Sequence, residues 1–200
     1  MIRRVLALSL LVGALALSLQ PAAARLRGCG PSTSAGAAIV AQDDRAVVFS
    51  KHGRLYGCLF YVGRSKRLAT QERSERINAR SIVLAGHFAG YDTLGGRTAT
   101  RVIVYDIRRG HIARSERPRS AGTRKVDVTR LVLRGNGSFA WIATAAGEDP
   151  EVHSVEIFEG GHNRLLDSAS GIDPLSLALS EDRRTLFWRR STSPRFVNFD

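Results

Sequence analysis

Short apolar runs closed by an aromatic residue recur along this 200-residue chain, each entered through a polar turn. Ala46-Val47-Val48-Phe49, Ser138-Phe139-Ala140-Trp141 and Thr185-Leu186-Phe187-Trp188 share this form, and His87-Phe88-Ala89-Gly90-Tyr91 is a weaker copy. Phe49 and Trp141 are 92 residues apart, Trp141 and Trp188 are 47 apart, and the weaker copy lies halfway through the longer gap. The turns are Asp43-Asp44-Arg45, Gly135-Asn136-Gly137 and Glu181-Asp182-Arg183-Arg184, and another apolar stretch precedes each run, at 38–41, 81–85, 129–133 and 175–179. Apolar runs flanking Asp/Asn/Gly turns predict hairpins. Third strands are expected at 59–62, 103–106, 156–159 and 197–200, and fourth strands at 63–68, 108–112 and 160–166.

The pattern therefore predicts an all-β domain over 37–200, built from four units at about 37–70, 79–116, 126–168 and 172–200. Four antiparallel strands every forty-odd residues is the period of a β-propeller blade. A single twisted sheet leaves two apolar faces in water, and neighbouring sheets can cover them. A β-sandwich or barrel with coincidental spacing is the competing architecture. Helical periodicity is absent after the first two dozen residues; the polar stretch 71–78 is read as either a short helical turn or a loop.

Two segments resemble known propeller repeats. Leu177-Ala178-Leu179-Ser180-Glu181-Asp182-Arg183-Arg184-Thr185-Leu186-Phe187-Trp188 is similar to the LSPDGxxLxF signature of TolB-like repeats, with Glu181 in place of proline and Arg183 in place of glycine. Val104-Tyr105-Asp106-Ile107-Arg108-Arg109-Gly110 resembles the VYDLxTG hairpin of WD-repeat-type propellers, although no unit carries a Trp-Asp ending. The resemblance implies a fold, and because such propellers mostly bind other molecules it implies little about chemistry. The last unit reaches Asp200 after its third strand, which leaves three expectations: a small closed ring, an open arc, or two copies joined as a homo-oligomer.

The N-terminus changes the expected compartment. Arg3-Arg4, an apolar run from Val5 to Leu19 and Ala22-Ala23-Ala24 have the order of a signal peptide over 1–24, with an uncleaved anchor as the alternative. Export by the Sec or the twin-arginine route fits equally, and Arg27 inside the would-be lipobox argues against lipidation at Cys29. No later segment is long and apolar enough to span a membrane. A glycine- and serine-rich segment at 25–36 leads into the first unit. In an oxidising compartment the two cysteines, Cys29 and Cys58, are expected to form a disulfide that pins this segment, two free thiols being the alternative.

The formal charge of +12 falls to +10 without Arg3 and Arg4, and lysine occurs only at Lys51, Lys66 and Lys125. Such a surface attracts anionic envelope polymers, acidic lipid headgroups or nucleic acid, although arginine-favouring codon usage explains the composition equally simply. The arginines are scattered, with no basic helix or aromatic-interleaved patch, which argues against nucleic-acid recognition.

Catalytic signatures are missing: there is no G-x-S-x-G elbow, no phosphate-binding glycine loop and no HExxH. Neither a cofactor nor a metal site is expected, and no catalytic residue is assigned. Asp43-Asp44 and Glu181-Asp182 are turn chemistry, as is the acceptor-like Asn136-Gly137-Ser138. His111 and His162 follow third strands and are read as solvated rim residues. The loops between second and third strands, 89–97 and 144–150, are the expected binding face, with Tyr91, Asp92, Arg97, Glu148 and Asp149 as its candidate residues. The functional expectation is an exported, non-catalytic binding or scaffold module of the cell envelope that recognises a protein or an anionic polymer. The alternatives are an exported propeller-type hydrolase or lyase acting on polysaccharide, and a truncated propeller remnant.

Overall fold

A computed structural model describes Cys29 and residues 36–94, 100–119, 126–145, 147 and 150–199. The expected signal peptide and most of the segment at 25–36 lie outside the described residues. The named elements are all strands apart from a short 3-10 turn at Ala79–Ser81. Sheet I holds β1 (Ala37–Gln42), β2 (Ala46–Lys51), β3 (Arg54–Leu59) and β4 (Ser65–Arg67). In sheet II, β5 (Arg76–Ile77) and β6 (Val83–Ala85) both pair with β7 (Phe88–Leu94), followed by β8 (Val102–Asp106) and β9 (His111–Glu116). Sheet III holds β10 (Val126–Leu133), β11 (Phe139–Ala145), β12 (His153–Glu159) and β13 (His162–Ala169). Sheet IV holds β14 (Ala178–Leu179), β15 (Thr185–Arg190) and β16 (Ser193–Asn198). All pairings within these sheets are antiparallel. The 1–2 and 3–4 turns of each sheet therefore share one rim, and the 2–3 connections share the other.

The sheets pack flank to flank in chain order. Ala46, Val48 and Leu59 of sheet I meet Ala89, Tyr91 and Ile103 of sheet II. Val102 and Val104 of sheet II meet Leu131, Phe139 and Trp141 of sheet III. Ala140, Ile142, Val155 and Ile157 of sheet III meet Leu186, Trp188 and Phe199 of sheet IV. Strands β8 and β11 are consequently buried along their whole length, which is why they read as continuous apolar runs rather than as alternation. The result is a propeller-like stack of four antiparallel sheets.

The recurring aromatics share one orientation. Tyr91, Trp141 and Trp188 each point at the preceding sheet. Phe49 points the same way, where no sheet precedes it among the described residues and Cys29 lies: the Cys29–Cys58 disulfide, 29 residues apart, gathers Cys29, Val47, Phe49 and Cys58 into a separate buried cluster. At the junction of sheets I and II a side chain at Gly57 would bring its Cβ within 3.0 Å of Ile107 Cγ1, so glycine permits the close approach.

Two third strands lie elsewhere than the apolar pattern suggests. In sheet I, His52 (φ 50°) and Gly53 (φ 70°) make a two-residue turn, so the third strand is Arg54–Leu59 and residues 60–63 become the next turn. In sheet IV the same compactness places β16 at Ser193–Asn198, after a two-residue turn of Ser191 (φ 54°) and Thr192. Both hairpins use non-glycine residues in left-handed conformations, which hides the turns in the sequence. Residues 71–78 are neither helix nor plain loop, since β5 within them pairs with the end of β7. Among the described residues no helix is long and apolar enough to cross a membrane.

Candidate functional site

The clearest hollow opens on the rim of the 1–2 and 3–4 turns, between sheets II and III, with a volume of about 680 Å³. Its sheet II wall is the turn after β8. Asp106 is buried at the strand end, its Oδ1 accepts the Arg109 backbone N–H at 2.8 Å, and the Gly110 N–H donates to the Asp106 carbonyl at 2.7 Å. Gly110 completes the reversal at φ +80°. This Asx-type turn consumes the Asp106 carboxylate locally, with the exposed Arg109 Nε 3.8 Å from Asp106 Oδ2, and leaves the Arg108 side chain in solvent. His87, from the β6–β7 turn, lies against Phe88 with ring centroids 4.0 Å apart and planes tilted by 35°, and holds its Nε2 3.8 Å from Asp106 Oδ2. His111 opens β9, and the Arg114 guanidinium lies 5.8 Å over the Phe158 ring.

The opposite wall is backbone. The turn at 135–138 is closed by the Gly137 N–H donating to the Arg134 carbonyl at 3.0 Å and by Asn136 Oδ1 accepting from the Ser138 N–H at 3.0 Å. Gly137 lies so close to Phe88 that an added Cβ would stand 3.3 Å from its Cζ. Gly160 and Gly161, both at positive φ, leave open space above the second turn. The hollow thus sets Arg108, Arg109 and Arg114, with His87 and His111, against Asp106 as the only carboxylate among its described lining residues. Exposed guanidinium groups beside uncovered turn backbone are suited to carboxylate, sulfate or phosphate oxygens.

A buried carboxylate helps hold the two sheets that form this hollow. Glu156 on β12 is fully buried and accepts the Arg119 backbone N–H at 2.9 and 3.0 Å through its two oxygens, with Asn163 Nδ2 3.3 Å away. The Arg119 guanidinium also donates to the Asn163 carbonyl. The segment leaving sheet II is thereby tied to sheet III.

A second hollow of about 680 Å³ lies on the opposite rim, lined by Arg54, Arg67, Arg73 and Arg76 together with Glu72 and Glu75. Arg101 Nε is 3.3 Å from Glu75 Oε1, and Arg101 Nη2 is 3.9 Å from Glu72 Oε1. Carboxylates are thus a larger share of this wall.

Of the sequence-derived binding residues, the two described ones, Tyr91 and Asp92, line neither hollow. Tyr91 is fully buried and its hydroxyl donates to the Ala69 carbonyl at 2.6 Å; burial drives its phenol well above the usual range. Asp92 is buried beneath Asn78, whose Nδ2 is 3.1 Å from Oδ1, and burial raises its carboxyl despite hydrogen bonds from Ser81 and Asn78. Both side chains are committed to internal contacts. Arg97, Glu148 and Asp149 lie outside the described residues. Of the other histidines, His153 is buried with Nδ1 2.8 Å from Thr144 Oγ1, and His162 is exposed. Among the described residues no group of three or more His, Cys, Asp and Glu could hold a metal ion. Sequence reading missed Arg108, Arg109 and Arg114 as a set; the doubled arginine in a turn was the available signal.

No family model matches the chain, and no curated protein matches it. Among solved structures, it is similar to a calcium-binding regucalcin from Agrobacterium tumefaciens strain C58, with 12% identity, 78% of this chain and 50% of that chain covered, and a TM-score of 0.43. It is also similar to the tricorn protease, with 9% identity, 72% and 23% covered, and a TM-score of 0.23. The chain thus spans half or less of the length of both. At these scores neither likeness bears on the fold, which rests on strand order and inter-sheet packing.

Proposed function

We propose that this chain is an exported, non-catalytic binding module of the cell envelope that recognises acidic groups of an anionic polymer at the hollow between sheets II and III. The observation that carries the reading is the convergence of Arg108, Arg109 and Arg114 on one hollow with a single described carboxylate. The disulfide supports an oxidising compartment, and the net charge of +12 supports long-range attraction of a polyanion. TolB-like membership belongs to this reading only as the resemblance of 177–188, and a hydrolase or lyase reading would rest on His87 and Asp106. Glycoside hydrolysis ordinarily calls for two facing carboxyl groups, and Asp106 has no carboxylate companion among the lining residues described.

The test is retention on immobilised polygalacturonate at about 0.15 M salt, where exposed charges act over roughly 8 Å. The double variant Arg108→Ala/Arg109→Ala should lose most retention, and the charge-matched variant Arg183→Ala/Arg195→Ala on sheet IV should lose little. Equal losses in the two variants would mean that net charge, rather than this hollow, is responsible.

A further inference from the structure

The cationic surface does not stop at the hollow. Gly110, which closes the Arg108-Arg109 turn, has no side chain, and the stem of Lys66 from β4 of sheet I lies across it: a Cβ on Gly110 would stand 3.1 Å from Lys66 Cδ and 3.4 Å from Cε. Lys66 is exposed, so its ammonium group emerges beside the same turn. Ile107, in that turn, packs on Gly57 of β3, which pairs with Lys66, so the two sheets are in close contact here. On the same rim Tyr61 is 68% exposed at the tip of the β3–β4 turn, three residues before Arg64. Sheets pack about 10 Å apart, so this edge runs about 20 Å from sheet I to sheet III.

We infer that this rim is a continuous track for a linear acidic polysaccharide, which engages Lys66 and the Arg108-Arg109 turn together and continues to Arg114 in the hollow. This rests on the proposed anion recognition and adds the partner's class: a chain with acidic groups spaced along it. Three features favour a glycan over nucleic acid. Single-stranded nucleic acid calls for successive open aromatic platforms, whereas Tyr61 stands alone at one end among the described residues and Arg114 covers Phe158. The disulfide fits a compartment where acidic envelope glycans are the abundant polyanions. Sugar rings tolerate a single aromatic contact combined with spaced cations.

The experiment compares galacturonate, hexagalacturonate and a single-stranded oligothymidylate of equal charge, by calorimetry on the full disulfide-bonded protein. Linkage of several contacts on one chain should make the hexamer bind about a hundredfold tighter than the monomer. Lys66→Ala should weaken hexamer binding about two- to fivefold and leave monomer binding unchanged. Lys66 is exposed, and a matching circular dichroism spectrum and urea midpoint would verify that Lys66→Ala keeps the fold. Monomer and hexamer binding equally, with both lost in Arg108→Ala/Arg109→Ala, would overturn the track and leave the anion site standing. Tighter binding of the oligothymidylate than of the hexamer would overturn the glycan assignment. Hexamer binding unaffected by either variant would overturn the track and the underlying site together.

Discussion

Trp141→Ala is the sharpest perturbation of the stacked-sheet arrangement. The indole is fully buried between sheets II and III, stacked on Phe139 at 5.3 Å and 25°, within a cluster that includes Val102, Val104 and Leu131. Truncation removes roughly 150 Å² of apolar contact, worth about 4 kcal/mol at ~25 cal/mol per Å², and large aromatic truncations in cores cost about 3–5 kcal/mol. One term opposes this. The indole N–H is buried with no hydrogen-bond partner among the described residues, and deleting an unsatisfied donor returns about 1–3 kcal/mol. The net expectation is a loss of about 2 kcal/mol, or roughly 4–8 °C in Tm for a domain of this size. Trp141→Phe keeps most of the packing and also removes the unpaired N–H, so it should stay within about 1 kcal/mol of the parent. Phe196→Ala, at a ring 70% exposed on the outer face of sheet IV, should cost less than about 0.5 kcal/mol. Urea unfolding followed by far-ultraviolet circular dichroism measures all three. A Trp141→Ala loss no larger than that of Phe196→Ala would refute the packing of sheet III on sheet II.

Further consequences concern the ends of the stack and its turns. Reducing the Cys29–Cys58 bond, or replacing both cysteines with serine, should cost about 3–4 kcal/mol for a 29-residue loop, read as a lower urea midpoint; an unaltered midpoint would show that the cross-link constrains nothing. Arg183 stands at φ 59°, where the resembled repeats have glycine, so Arg183→Gly should raise stability by about 0.5 kcal/mol in the same assay, strain relief slightly exceeding the added chain entropy. Asp182 accepts from the Ser180 hydroxyl at 2.6 Å and from the Arg184 N–H at 3.0 Å, which hold its carboxyl below the ordinary value of 3.8. Its contribution is present above that value and is lost as pH falls through the lower folded one, so Asp182→Asn should lose less stability than the parent between about pH 5 and pH 2; identical acid profiles would contradict the linkage.

The repeat was legible because four aromatic positions share one structural duty. Tyr91, Trp141 and Trp188 fill the gap to the preceding sheet, and Phe49 fills the equivalent gap beside Cys29, so each unit repeats a bulky ring at the same place. The cysteine pairing was legible too, since two thiols in an oxidising compartment leave one intramolecular partner each. Turns built on His52 and Ser191 were not, because a left-handed residue other than glycine carries no signature; that shifted two third strands. Tyr91 and Asp92 looked like loop residues because the run before Leu94 was taken to end early, whereas β7 extends through them and buries both. The basic hollow escaped detection for a different reason. Arg108-Arg109 and Arg114 belong to one hairpin, but the facing turns at 135–138 and 160–161 come from another sheet, and Lys66 comes from a third. Only the flank-to-flank packing brings them to one rim.

The most direct measurement of the central claim is a residue-resolved nuclear magnetic resonance titration of the disulfide-bonded protein with galacturonate. Anion recognition between sheets II and III predicts that amide shifts concentrate at Arg109, Gly110, His111, Gly137, Ser138, Gly160 and Gly161, saturating together. Shifts concentrated instead at Gly53, Arg54 and residues 70–76 on the opposite rim, or spread evenly over exposed arginines, would contradict it.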